Sequence, residues 1–303
     1  MRLISYGPED NCRAGILLGE SIADLERTMR SANVGVPVTD MRLLLEQDNW
    51  RGLLDKLEKP AAREKAIPLK DVRLACPVPV PRKLMIAGAN THSHVNEAKP
   101  LIGDIPPPLQ PAILGKATSS IAGPFDDVVL PPETKKLDYE VELGVVIGKR
   151  ARRISKQQVK DYVAGFVVIN EMSARDIQLA EHEKFAFYRM HFLGKSYDTF
   201  CPIGPAMVTT DEFVWGKPLT LRTLVNGKIR QDSDTADLVH GIEELVSYCS
   251  GAMTMFPGDI IATGSPAGVG FFMKPPGFLK AGDVVRCEVG GVGAIENRVV
   301  AER

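Results

Sequence analysis

The run Leu137-Asp138-Tyr139-Glu140-Val141-Glu142-Leu143-Gly144-Val145-Val146-Ile147-Gly148 leaves this chain few ways to fold. Val141, Leu143, Val145, Val146 and Ile147 read as a buried β-strand. A pleated strand sends successive side chains to opposite faces, so Glu140 and Glu142 must share one face. Neighbours two residues apart on one face stand roughly 7 Å from each other. Like-charged carboxylates at that spacing among apolar residues raise a pKa or separate, unless a cation sits between them. A hard divalent ion, Mg²⁺ or Mn²⁺, accepts carboxylate oxygens and keeps positions open for water or a substrate. The plain alternative is a solvated strand edge on which Glu-x-Glu carries no chemistry.

A second apolar run, Asp161 to Glu171, also ends in polar residues and continues as Met172-Ser173-Ala174-Arg175-Asp176-Ile177-Gln178. An acid where a buried strand stops supplies a third oxygen ligand, and Glu171 is placed for it. The alternative makes Asn170 and Ser173 turn or cap residues and pairs Arg175 with Asp176. Upstream, the short strand Lys83 to Gly88 runs into Ala89-Asn90-Thr91-His92-Ser93-His94-Val95-Asn96-Glu97. If the chain turns helical at Ser93, His94 and Glu97 fall three apart on one face, where the carboxylate orients the imidazole for taking a proton. A hydrated loop with two surface histidines is the alternative. Lys195 follows Gly194, which would let a ligand approach closely.

The chain's 303 residues, 44% hydrophobic, suffice for one large domain or a large and a small one. A formal net charge of −1 offers no field for nucleic acid or an anionic membrane. No apolar run reaches the length of a membrane span and the first residues lack a secretory signal, so a cytoplasmic location is expected. Five cysteines with no CxxC fit reduced core thiols better than a disulfide framework.

Residues 1–75 read as a small α/β module without a cluster of His, Cys and acids. It has a strand at Arg13 to Leu18, a helix capped by Ser21 and running through Arg30, and another helix capped by Asp40 whose apolar residues include Leu43, Leu44, Trp50, Leu53, Leu54 and Leu57. The Pro-rich passage Cys76 to Pro81 marks the boundary to a second domain, 76–303. Within that domain Lys99 to Gln110 reads as a mobile loop or lid hinge, and Glu181 to Phe192 as a further cover. Leu219 to Val225 and Lys228 to Arg230 form a hairpin about Asn226-Gly227, and Thr235 to Tyr248 is an amphipathic helix. A Gly-rich turn, Thr263 to Gly270, follows a buried strand and offers hydroxyls and amides to a carboxylate.

In order, the pieces Gly88-x-Asn90-x-x-x-His94-x-x-Glu97, Asp138-Tyr139-Glu140-x-Glu142-Leu143, Ser173-Ala174-Arg175-Asp176-x-Gln178, Gly194-Lys195-Ser196 and Asp259-Ile260-Ile261-x-Thr263-Gly264-x-Pro266-x-Gly268-Val269-Gly270 resemble the fumarylacetoacetate hydrolase family over roughly residues 76–303. The resemblance implies an α+β fold, mostly β: a mixed β-roll with a small N-terminal domain, assembled as a homodimer. It also implies Mg²⁺ or Mn²⁺ held by Glu140, Glu142 and Glu171, with a small 2-oxo acid as substrate. His94 with Glu97 would activate water, and Lys195 would stabilise the enolate. Lys116 and Gln178 would line the substrate carboxylate, with Thr263 or Ser265 nearby. The activity implied first is hydrolysis of a carbon–carbon bond in an acylpyruvate such as fumarylpyruvate. The alternatives are an oxaloacetate decarboxylase or oxo-acid isomerase on the same scaffold, or a non-catalytic binding member. The sequence departs from the family pattern in having Glu171 for the usual aspartate, Thr91-His92 after Asn90 where tyrosine is common, and Ser265 where threonine is frequent.

Overall fold

A computed structural model describes residues 1–104, 106–180 and 190–302. Val141–Ile147 is buried at every residue, as is Val163–Asn170 beside it. The two pair antiparallel, Val141 opposite Asn170 and Val146 opposite Gly165. Alternate residues enter different cores. Val141, Leu143, Val145 and Ile147 join a cluster with Phe166, Leu221, Val285 and Ile295, whereas Val146 joins one with Val167, Ile169, Leu3, Leu25 and Trp50. Both faces are covered, so no residue of the strand is left for solvent, and apart from Glu142 its sequence is apolar.

The sheet containing this pair runs, neighbour to neighbour, Ile67–Pro68, Ser21–Asp24, Arg13–Leu18, Arg2–Tyr6, Cys201–Thr209, Val163–Asn170, Val141–Ile147, Ile260–Ala262, Leu84–Gly88 and Ala112–Gly115. A second sheet, built on Thr220–Val225, Val284–Val289 and Gly293–Ala301, packs on the opposite side of the central pair. Parallel and antiparallel pairings mix, since Ile260–Ala262 lies parallel to Leu84–Gly88 and antiparallel to Val141–Ile147. The sheets are open and strands dominate, as the mostly β, α+β expectation held. Residues 1–75 share this architecture: Arg2–Tyr6 pairs with Cys201–Thr209, and Cys76 and Val78 in the Pro-rich passage are buried. Among the described residues no helix is long and apolar enough to cross a membrane.

Several local expectations are corrected. Ser21 opens the strand Ser21–Asp24, and the helix Leu25–Ala32 is capped by Asp24, whose side chain accepts from the Arg27 N–H. Asp40 does cap a helix, but it ends at Leu45, and Trp50–Ala61 is separate because Asn49 leaves the helical region at φ −125°. The helix expected from Thr235 starts at Ile242: Asp234 caps a short 3-10 turn, and the His240 N–H leaves for Asn90 Oδ1. Helix His92–Ile102 extends into the expected Lys99–Gln110 loop, ending at Gly103 with φ 83°. Asn226 and Gly227, at φ 51° and 73°, make the anticipated hairpin turn. Of the expected cover at Glu181 to Phe192, residues 181–189 lie outside the described residues.

Candidate active site

The polar end of the central strand pair is where the three acids meet. Glu171 continues the face of Val167 and Ile169, and its N–H donates to the Glu140 carbonyl at 2.8 Å, so the two side chains are cross-strand neighbours. Glu142 lies on that same face. One ligand oxygen from each of Glu140, Glu142 and Glu171 falls within 4.8 Å of the others, and all three residues are buried.

Cations answer most of this charge. Arg175 donates to Glu140 Oε1 at 2.6 Å and to Asp138 Oδ2 at 2.8 Å. Lys195 Nζ donates to Glu140 Oε2 at 2.9 Å, to Ser173 Oγ at 2.9 Å and to Glu171 Oε2. Lys116 Nζ donates to Glu171 Oε1 at 2.5 Å and to the Met172 carbonyl at 3.1 Å. The Arg175–Asp176 pairing read from the sequence does not form, because Asp176 accepts from Thr134 and the Lys135 N–H. Gly194 serves packing: a Cβ there would stand 2.5 Å from the Gln178 nitrogen. Lys116 sits behind Glu171 with a fully buried side chain, off the cavity wall where the substrate carboxylate was expected.

Glu142 is the exception. Its Oε2 accepts the Gly264 N–H at 2.5 Å, and no ion pair reaches it among the described residues. Burial pushes its carboxyl well above the usual range, and Glu171 and Glu140 push it further. For Glu140 burial works the same way, but Arg175 and Lys195 outweigh it and hold the carboxyl well below that range. Lys195 likewise stays charged: burial opposes the ammonium, and Glu140 with Glu171 more than offset this. Four acids, Asp138 included, therefore face three cations, and full ionisation leaves one negative charge at Glu142. A carboxylate donor set with charge to spare fits a hard divalent ion, which Glu140, Glu142 and Glu171 would hold.

These groups open onto a cavity of ≈ 300 Å³ whose lining includes Glu140, Glu142, Arg175, Gln178, Lys195, His94, His191 and Ser265, with an apolar wall of Ile86, Ala87, Ala112 and Leu114. The expected helix positions the histidine. Thr91 caps it, and His94 Nδ1 lies 2.6 Å from Glu97 Oε1. With Nδ1–H donating to the carboxylate, a neutral ring carries its lone pair on Nε2. Glu97 Oε2 in turn accepts the Gly268 N–H at 2.8 Å. Ser265 Oγ accepts from Gln231 Nε2 at 2.8 Å, and Thr263 Oγ1 is buried without a partner. A separate cavity of ≈ 220 Å³ about Phe166, Trp215 and Ile242 holds no comparable cluster of acids. The thiols of Cys76, Cys201, Cys249 and Cys287 are pushed up by burial, which suits core residues rather than nucleophiles.

Residues 83–300 match the family model described as Fumarylacetoacetate (FAA) hydrolase C-terminal. The chain belongs to the fumarylacetoacetate hydrolase family. Among its relatives, the oxaloacetate tautomerase FAHD2A, mitochondrial, of Bos taurus is 44% identical over 234 residues, spanning 77% of this chain and 71% of that protein. The fumarylacetoacetate hydrolase domain-containing protein 2 homolog of Dictyostelium discoideum is 38% identical over 99% of this chain and 97% of its own. A crystal structure of maleylpyruvate hydrolase from Sphingobium sp. SYK-6, in complex with manganese(II) and pyruvate, aligns over the whole of both chains with TM-score 0.77 and 31% identity. The bovine relative is named as mitochondrial, so it lends nothing to the cytoplasmic expectation.

Within this family site, four participants escaped the sequence reading: Arg175 as the partner of Glu140, Ser173 under Lys195, His191 on the cavity wall, and Asp138. The Ser-Ala-Arg-Asp run just past a buried strand end was the available signal, since an arginine there is buried only when carboxylates meet it.

Proposed function

We propose that the protein is a divalent-metal-dependent enzyme that moves a proton within a small 2-oxo dicarboxylic acid, oxaloacetate being the leading candidate, through its enol form. The carrying observation is that His94, held by Glu97, lines the same cavity as Glu140, Glu142 and Lys195, with Glu171 completing the acid cluster against Lys195. Mg²⁺ or Mn²⁺, when bound, supplies Lewis-acid polarisation of the oxo group and charge for the enolate. His94 Nε2, held free by the Nδ1–Glu97 bond, carries the proton between the carbon beside that oxo group and the enolate oxygen. Lys195 presents a fixed ammonium to the enolate oxygen, and Arg175 with Gln178 faces a substrate carboxylate. A cavity of ≈ 300 Å³ suits a four-carbon acid. The tautomerase relatives support this reading over hydrolysis. Carbon–carbon hydrolysis of an acylpyruvate is the second reading, favoured by the maleylpyruvate hydrolase neighbour, with His94 then activating water. Decarboxylation of oxaloacetate would use the same enolate site. We propose a homodimer in solution, to be checked by light scattering.

The test is the decay of enol-oxaloacetate absorbance with Mn²⁺ or Mg²⁺, with pyruvate measured in parallel. Metal-dependent acceleration lost in His94→Ala is expected. A rate equal to that of the metal alone sinks the reading, and pyruvate release from acylpyruvates would replace it with the second.

A further inference from the structure

We infer that Asp138 is a positioning residue that ties the three-acid cluster to the His94–Glu97 pair and keeps the two in a fixed relation across the cavity. Asp138 is fully buried and off the cavity wall. Its Oδ1 accepts the Tyr139 and Gly270 N–H groups at 3.0 and 2.7 Å, and its Oδ2 accepts Arg175 Nε at 2.8 Å and the Phe271 N–H at 3.1 Å.

One of these bonds leads to the cluster, because the same guanidinium donates to Glu140 Oε1 and, at 3.1 Å, to Gln178 Oε1. Two others seat the Gly-rich loop. That loop's Gly268 N–H holds Glu97 Oε2, and its Phe272 ring meets His94 edge-on with centroids 5.8 Å apart. The seating is close: a Cβ on Gly270 would stand 2.7 Å from Asp138 Oδ1 and 2.5 Å from the Gly277 carbonyl. Tyr139 reinforces it, donating its hydroxyl to the Gly268 carbonyl at 3.1 Å. A buried carboxylate with four donors has one orientation, so it transmits position rather than charge to the cavity. Misplacing a reacting group by about 1 Å costs on the order of 100-fold in rate.

Asp138→Asn tests this by hydrogen exchange of the whole protein, with and without Mn²⁺, and by kinetics. Peptides covering 264–272 and 92–98 are expected to exchange at least about tenfold faster, with those of Arg2 to Leu18 unchanged. On the proposed reaction, kcat falls about 30-fold or more while KM moves less than about threefold. Combined with Glu97→Gln, the loss stops within about threefold of Asp138→Asn alone, because the loop that held Glu97 has already shifted. Unchanged exchange in the loop overturns the proposal, and so do two kinetic losses that multiply in full. If Asp138→Asn does not fold, Asp138→Glu keeps the charge and moves the carboxylate by one methylene, and wild-type exchange and kcat in that variant overturn it. The exchange measurement uses no substrate, so its outcome is separable from the failure of the proposed reaction.

Discussion

The two ends of the central strand pair are equally buried and hydrogen-bonded in the same ladder, yet they are stabilised by opposite means. At the Val145–Ile147 end, apolar side chains enter two cores and the transfer of hydrocarbon from water does the work. At the Glu140–Glu142 end, every desolvated carboxylate needs a partner, and the fold provides Arg175, Lys195 and Lys116 for all but one. Burial by itself therefore says little about what a position contributes. The sign depends on whether charge is answered, and the shortfall at Glu142 marks where function enters.

The largest expected departure comes from removing an answered charge. Glu140→Ala takes one charge-assisted hydrogen bond each from Arg175 and Lys195, leaving them Asp138 and Glu171, and should lower the stability of the metal-free protein by about 3–5 kcal/mol in thermal or urea melts. A loss under about 1 kcal/mol would mean that the polar end is not held together by these pairs.

Glu142→Gln should act in the opposite direction. At pH 8 it should raise metal-free stability by about 1–3 kcal/mol while abolishing Mn²⁺ binding in calorimetry. The pH dependence carries its own sign. The pKa of Glu142 in the folded protein is raised, so its stabilising contribution is complete below the ordinary carboxylate range and drains away as pH climbs through its own elevated value. The advantage of Glu142→Gln over wild type should therefore grow between about pH 5 and pH 8. A flat difference across that window would show that Glu142 is answered after all.

The smallest effect belongs to the apolar end. Ile147→Val should cost about 0.5–1.5 kcal/mol, equally with and without Mn²⁺. A metal-dependent cost there would erase the distinction between the two ends.

Much of the site was legible because it rests on short periodicities. The two-residue repeat put Glu140 beside Glu142, the polar end of the next apolar run exposed Glu171, and three-residue helical spacing joined His94 to Glu97. The alternative that paired Arg175 with Asp176 let sequence proximity stand in for contact. The real partners of Arg175, Asp138 and Glu140, come from a strand more than thirty residues earlier. Lys116 was placed on the substrate by the family resemblance alone, and nothing local shows that its side chain is fully buried against Glu171. The missed helix starts, at Ile242 rather than Thr235 and at Leu25 rather than at a Ser21 cap, reflect a His240 donor claimed by distant Asn90 and a Ser21–Asp24 strand that hairpins onto Arg13–Leu18 and pairs with Ile67–Pro68.

By itself, the sequence determined the central strand pair, which face the acids occupy and which family the chain resembles, since these follow from side-chain alternation and ordered motifs. Only the tertiary structure decided which carboxylates are neutralised. Coulombic pairing in a desolvated interior acts over a few ångströms regardless of separation along the chain. That selection leaves Glu142 without an ion-pair partner among the described residues, on a cavity it shares with a histidine carried by a helix.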